Sequence, residues 1–402
     1  MTTAVDRPPA PSGALSPSLA ILVAVTAINP LALNIYVPSM PSVQDTFAAP
    51  ASIVQLTLSL GLVGTALIQI VVGPMSDQFG RRPVLLTGLV FALIASVYCA
   101  VAGSIEGLII GRIIQIAGGA AGLVLGRAIV RDLHEPKDAA SMLGYVTMGM
   151  AMAPMVAPTI GGMLDDFFNW RAGFVFSSVI TAIVLVASWY TLPETNVNRG
   201  SASSLGAFGR DVRELVTMRT FWIYTMTISF VGATFFAFVG GAPYVGDHIF
   251  GLSKTQYGLF FMLVAIGYAV GNYISGRFAS RAGLFRMILL GSLLTAIFCF
   301  AIVLLSLIGI ENAPMLFGAM FFVGLGNGLV FPSCIAGVVS VNPRLAGSAS
   351  GLSGCIMMGI NAAFSYFVAF LLSDSLLPMA LLMTASAVVA VGFSLLVPRS
   401  VD

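Results

Sequence analysis

Apolar runs of about twenty residues recur along this chain with only short polar breaks between them, and nothing else constrains its fold as tightly. A helix needs about 20 residues to cross ~30 Å of hydrocarbon. Runs of that length lie at about 18–40, 52–75, 83–103, 105–130, 139–163, 171–192, 219–245, 255–279, 285–309, 314–338, 345–372 and 376–397. Within lipid every backbone N–H and C=O must be satisfied by the protein itself, so runs of this length are helices. Only 8% of the residues are charged, against about 25% in a soluble domain, so most of the outer surface must face a lipid bilayer. The sequence therefore predicts an all-α membrane protein of twelve transmembrane helices. The first run exceeds the 7–15-residue core of a signal peptide and is expected to be retained.

The one long polar break, residues 193–218, divides the chain into two sets of six runs, 18–192 and 219–402, behind a polar, proline-rich tail at 1–17. Of the 18 lysines and arginines, all but Arg112, Arg171 and Lys254 fall on one side when the chain is threaded back and forth. The positive-inside rule then puts both termini and the 193–218 linker in the cytoplasm. The halves also echo one another. Gly73-Pro-Met-Ser-Asp-Gln-Phe-Gly80 follows the second run and Gly276-Arg-Phe-Ala-Ser-Arg-Ala-Gly283 follows the eighth, with the same spacing between glycines. Paired six-helix repeats with a site between them near the midplane are a design of secondary transporters.

Other classes fit poorly. A net charge of +2 offers nothing to nucleic acid. Cys99, Cys299, Cys334 and Cys355 sit in apolar runs without C-x-x-C spacing, so neither a disulfide nor a metal site is expected. No phosphate-binding G-x-x-x-x-G-K-[ST] loop is present, and no cofactor is implied. The two histidines, His134 and His248, fall on opposite sides of the membrane and cannot share a catalytic site, which argues against an enzyme. A channel or receptor would leave the repeated halves and paired turns unexplained.

Several segments resemble the major facilitator superfamily. Gly73-Pro-Met-Ser-Asp-Gln-Phe-Gly-Arg-Arg-Pro83 looks like its loop 2–3 signature, and Arg112-Ile-Ile-Gln115 with Gly118, Gly119, Gly122, Arg127 and Arg131-Asp132 like its helix-4 motif. Gly149, Ala153-Pro154, Pro158 and Gly161-Gly162 resemble the helix-5 motif of its drug–proton antiporters. Asn-Ile-Tyr-Val-Pro-Ser-Met-Pro41, Asn169-Trp-Arg171 and Leu192-Pro-Glu-Thr195 add to a likeness with the bicyclomycin- and chloramphenicol-resistance branch. The resemblance implies a monomeric bacterial inner-membrane exporter of small amphipathic molecules, coupled to protons. An importer or facilitator of a small metabolite is the alternative. Proton-coupled members of the branch commonly carry an acid at the position of Asn34, and this chain departs from them there.

Each motif has its own physical content. Gly73 and Gly80 suit tight backbone paths. Asp77 sits where a carboxylate meets the positive start of another helix, and the eleventh run offers one, with Asn342 as cap and Pro343 in the first turn. Arg81 pairs either with Asp132 or with another acid at the same surface. Gly149, Ala153, Ala157 and Gly161 recur every four residues and make a smooth face for close helix approach, while Pro154 and Pro158 kink or stiffen the same helix. Gly73, Asp77, Gly80, Arg81, Asp132, Pro154 and Pro158 are thus the gating candidates.

Arg112 lies well inside its helix, which makes it either a functional group or a side chain snorkelling to the surface. Gln115 stands one turn on. None of the sixteen carboxylates lies near a midplane. Thr26, Asn29 or Pro30, Leu33, Asn34 and Val37 fall on one face of the first helix, and if that face lines a cavity, Asn34 and Arg112 both look into it. The candidate substrate-binding residues in the first half are Asn29, Asn34, Tyr36, Arg112, Gln115, Met148 and Met152, the methionines being either packing or adaptable lining. In the second half they are Phe235, Phe236, Phe238, Tyr268, Asn272, Met358 and Asn361.

Overall fold

The computed structural model describes residues 18–133, 136–196, 205–372 and 375–398, and its regular structure is helical throughout. Twelve long helices follow in order: α1 Leu19–Phe47, α2 Ala51–Phe79, α3 Arg81–Ala100, α4 Ile105–Leu133, α5 Pro136–Phe167, α6 Arg171–Thr191, α7 Arg219–Ile249, α8 Lys254–Ala282, α9 Leu284–Leu307, α10 Ala313–Ser340, α11 Ala346–Leu371 and α12 Leu377–Ser394. Among the described residues, 11 of them are apolar and long enough to cross a bilayer. The remaining one, α5, has 32 residues, about 48 Å at 1.5 Å per residue. We call the membrane face that carries the α6–α7 connection proximal, and the opposite face distal.

Helices outrun the apolar segments because their polar ends are solvated at the interface. The first run ends near Met40, yet α1 continues through a 3₁₀ turn at Val37–Ser39 and on to Phe47. The supposed turn at 73–83 is likewise mostly helix. Gly73 lies inside α2 with open space around it, so it does not serve the tight turn expected of it. Only Gly80 does, at φ 102°, and its repeat counterpart Gly283 ends α8 at φ 83°, a region that favours glycine. Part of the expected linker is also ordered. Leu205–Thr217 forms an amphipathic helix, tied to the second half by Ser348 donating to Asp211 and by Asn342 and Arg344 donating to Glu214. Its mixed composition hides a helical face that closes with Leu215 in the core beside Phe221 and Tyr224.

Two six-helix bundles result, and they pack alike. In the first, α1 lies against α4, α5 and α6, α2 against α4, and α3 against α4 and α6. In the second, α7 lies against α10, α11 and α12, α8 against α10, and α9 against α10 and α12. The bundles meet along α5 with α8 and along α2 with α11.

Small residues set these contacts, since lipid is as apolar as leucine and gives helices no hydrophobic reason to associate. A methyl group at Gly122 of α4 would overlap the Val25 carbonyl of α1, and one at Gly161 of α5 would overlap the Ile35 carbonyl. Gly161→Ala should therefore destabilise the protein by about 1–3 kcal/mol, whereas Gly359→Ala, which meets nothing within 4 Å, should be neutral or slightly stabilising. Thermal unfolding of the two variants in detergent measures the difference.

Candidate functional site

Arg112 is fully buried, inside the first bundle. Its Nη1 donates to the Ala32 carbonyl at 2.8 Å and to Gln115 Oε1 at 2.7 Å, and Gln115 Nε2 donates to Ser96 Oγ at 2.8 Å. The guanidinium lies 4.5 Å from the Tyr36 ring and 5.6 Å from that of Phe174, while Thr57 donates to the Tyr36 hydroxyl. Two of its donors, Nε and Nη2, have no partner among the described residues. Asn29 is buried on the same side of α1, where its amide donates to the Ile116 carbonyl at 2.8 Å. The substrate-binding candidates Asn29, Tyr36, Arg112 and Gln115 are all buried here and cross-link α1, α2, α3, α4 and α6 from within.

Asn34 looks elsewhere. Residues 34 and 36 are 200° apart on a helix of 100° per residue, so Asn34 faces away from the arginine that Tyr36 covers. Its amide folds back onto the Pro30 carbonyl at 2.7 Å. With Leu33, Val37 and Leu58 of the first bundle and Phe235, Phe236 and Val239 of the second, it lines a narrow crevice between the bundles. An aspartate at 34 would therefore meet this apolar crevice, not Arg112.

The other candidates are scattered around that seam. Phe238 is buried in an aromatic cluster with Phe261 and Phe317. Asn361 is buried against Gly232, its amide without a hydrogen-bond partner among the described residues. Tyr268, Asn272 and Met358 are partly exposed. Met152 is 59% exposed, on the helical face of Thr159, which itself meets Gly258 of α8. Met148 lies outside the residues whose side chains are described.

At the distal face the seam is shut. Asp166, just beyond the apolar run of α5, accepts from the backbone N–H groups of Lys254 at 3.2 Å and Thr255 at 2.8 Å, capping the start of α8 in the other bundle. Gln55 of α2 donates to Ser365 of α11 at 2.6 Å, and Pro158 and Thr159 of α5 lie against Gly258. Burial works to raise the pKa of Asp166, but hydrogen bonds from Thr255, Lys254 and Ser253 outweigh it and hold the carboxyl below its usual range. Neighbouring Asp165 accepts from Ser42 at 2.8 Å; burial pushes its pKa up against the hydroxyls of Ser42 and Ser39.

The proximal face is organised differently. Arg81 donates to Asp132 at 3.0 Å and to Asp77 at 2.5 Å, while Glu194 accepts from the backbone N–H groups of Arg81 at 2.9 Å and Arg82 at 3.2 Å, capping α3. Burial opposes the charge on Arg81, and the two aspartates more than offset it, raising its pKa. Asp77 is thus occupied within its own bundle. The start of α11, where it was expected, is held by Glu214 instead. Among the described residues, the hydrogen bonds that join the two bundles lie in the distal half.

Sequence reasoning missed the caps made by Asp166 and Glu194. Asp166 ends a helix four residues after the glycine pair 161–162, and Glu194 sits in a quoted motif that had no role; an acid facing a helix start is the signal that was available. It also assigned Arg127 to the membrane surface.

A model of the Major Facilitator Superfamily matches residues 22–366. The chain is 31% identical to the uncharacterised MFS-type transporter YdgK of Bacillus subtilis (strain 168), covering 94% of this chain and 95% of that one. It is 27% identical to the bicyclomycin resistance protein homolog of Haemophilus influenzae, covering 91% and 92%. In structure it is similar to the D-xylose–proton symporter, with a TM-score of 0.76 at 16% identity over 96% of this chain and 98% of that one, which speaks to fold alone.

Loss of the Asp166 cap should loosen the distal closure. An N-cap acid is worth about 0.5–2 kcal/mol, so Asp166→Ala should raise the distal-open population roughly 2- to 30-fold. Distances between spin labels on Phe168 and His248, at the distal ends of the two bundles, read this directly; an unchanged distribution would show that Asp166 holds nothing shut. The sign with pH follows from the depressed pKa: the cap is complete above the ordinary carboxylate range and is lost as pH falls through the folded-state value.

Proposed function

The chain belongs to the Major Facilitator Superfamily, and we propose that it exports small amphipathic organic molecules by alternating access. The observation that carries this reading is the crevice between the bundles: two phenylalanines, aliphatic side chains and one amide, a lining that favours apolar ligands with a single polar handle. Its relatives include a protein named for bicyclomycin resistance. We place the chain in a bacterial inner membrane as a monomer, with the proximal face and both termini in the cytoplasm.

On this reading the ligand enters from the proximal side, where no hydrogen bond joins the bundles among the described residues, while Asp166 and Gln55 keep the distal side closed. Release requires those contacts to break and the proximal side to close. Asp77, Arg81 and Asp132 are the gating group there, with Asp77 exchanging its partner Arg81 for the start of α11. Pro154 and Pro158 stiffen α5 beside its contact with α8. The proton coupling that the family resemblance implies falls, on this reading, to acids at the two faces, because the residue at 34 is an amide and cannot titrate.

Overexpression in an efflux-deficient bacterium should raise resistance to several amphipathic antibiotics, bicyclomycin and chloramphenicol among them, and lower their accumulation. A panel without any change, with uptake of a metabolite rising instead, would overturn export in favour of import.

A further arm uses position 34. A carboxyl placed in this crevice would be desolvated and its pKa raised above ~3.9. In Asn34→Asp the protonated form resembles the amide, so ligand binding should match the parent at low pH. It should weaken as pH rises through the new pKa, while the parent protein shows no such step. Equilibrium binding between pH 5 and 9 tests it.

A further inference from the structure

Arg127 has a place that the positive-inside count does not explain. Since α4 runs to Leu133, Arg127 lies six residues, or ~9 Å, inside its proximal end. The helix meets α1 through Gly119, Gly122 and Gly126, α3 through Gly118, and α2 through Ile116 and Ala117. Arg127 points into none of these contacts: its side chain is exposed, and it is within electrostatic reach of Tyr268 on α8 of the other bundle. It therefore stands between the bundles.

Nothing anionic meets it among the described residues. No hydrogen bond or ion pair to Arg127 is formed there, and the other charge in reach is a second cation, Arg131, one turn on. The acids on this side whose side chains are described are engaged, Asp77 and Asp132 by Arg81, Glu194 by backbone N–H groups, Asp211 by Ser348 and Glu214 by Asn342 and Arg344. A cation in a concave site with low-dielectric walls focuses a positive potential into it, and a guanidinium suits carboxylate, phosphate or sulfonate oxygens.

The register gives a length. Gly126 packs on Thr26, so Arg127 stands level with Thr26 on α1. Asn34 and its apolar crevice lie eight residues further along, ~12 Å at 1.5 Å per residue. Tyr268 and Asn272, both partly exposed, add neutral polar groups at the arginine's end.

We propose that Arg127 is an anion anchor that selects amphipathic organic anions, holding the acidic group while an aromatic body about 12 Å away fills the crevice at Asn34, Phe235 and Phe236. This substrate class rests on the exporter reading. The test uses the full-length protein in lipid nanodiscs and two fluorescent probes of equal size, 1-pyrenebutanoate and 1-pyrenebutanol. The acid should bind the parent protein about tenfold more tightly than the alcohol, the scale of one charge-assisted contact. Arg127→Gln should abolish that preference and leave alcohol binding within about twofold, which also shows that the variant is folded; Arg127→Lys should retain part of it. Alcohol binding without preference for the acid, or an equal loss of both probes in Arg127→Gln, would overturn the anchor and leave the exporter reading standing. Failure of the parent protein to bind either probe would overturn both.

Discussion

Helices in lipid approach one another only where one of them withholds its side chain, and α1 depends on this on two sides. The Gly122 contact brings the Val25 carbonyl against α4, and the Gly161 contact brings the Ile35 carbonyl against α5. Without a hydrophobic drive between helices, dispersion and short polar contacts are what remain to hold a bundle together, and both fall off within an ångström or so. The glycines therefore decide how far α1 sinks into the first bundle. That depth brings the Ala32 carbonyl within 2.8 Å of Arg112 and the Ile116 carbonyl within 2.8 Å of Asn29.

A buried guanidinium without a carboxylate is costly, and the bundle offsets the cost with fixed dipoles and rings. Ala32, Gln115, Tyr36 and Phe174 come from three helices, α1, α4 and α6. Gln115 shares α4 with the cation, but the partners on α1 and α6 lose their contact if their helix slides by more than about an ångström. The arginine thus makes the three helices one rigid body. Alternating access between two bundles needs bodies of that kind: if α1 yielded locally, closure at one face would not open the other. In this structure Arg112 stiffens the first bundle, and on the proposed reading contact with the ligand falls to residues on the opposite side of α1.

The sequence carried the twelve runs, the repeat of Gly80 at Gly283, the placing of Gln115 one turn from Arg112, and the cap at Asn342. These are local matters of spacing, turn chemistry and helix length. It did not carry the side of a helix that opens to a cavity. In a soluble protein polarity separates inside from outside, but here lipid, bundle core and crevice are all apolar, so a 3.6-residue period finds a face without naming its surroundings. Asn34 and Arg112 were assigned one cavity for that reason, and the 200° between residues 34 and 36 separates them. Arg127 was lost to the opposite simplification: a count of basic residues treats each as surface charge. The helix at Leu205–Thr217 escaped because hydropathy measures membrane crossing, and an amphipathic helix lying on the protein does not cross.

The two faces use one device with different partners. At the distal face an acid at the end of a first-bundle helix, Asp166 on α5, caps the start of a second-bundle helix, α8. At the proximal face Asp77 stands at the end of α2, and α2 packs along α11, the start of which carries the Asn342 cap. The bundles meet along these two helix pairs, and in the proposed cycle the cap of α8 is released at the distal face while Asp77 on α2 engages the start of α11 at the proximal face. The proposed exchange gives up one carboxylate cap of about 1 kcal/mol and gains another of the same kind. It also trades the salt bridge from Asp77 to Arg81, partly exposed at this surface and so worth about 1 kcal/mol, for a helix start. Terms this similar leave two states within a few kcal/mol of each other. A ligand with modest preference for one of them then suffices to move the population.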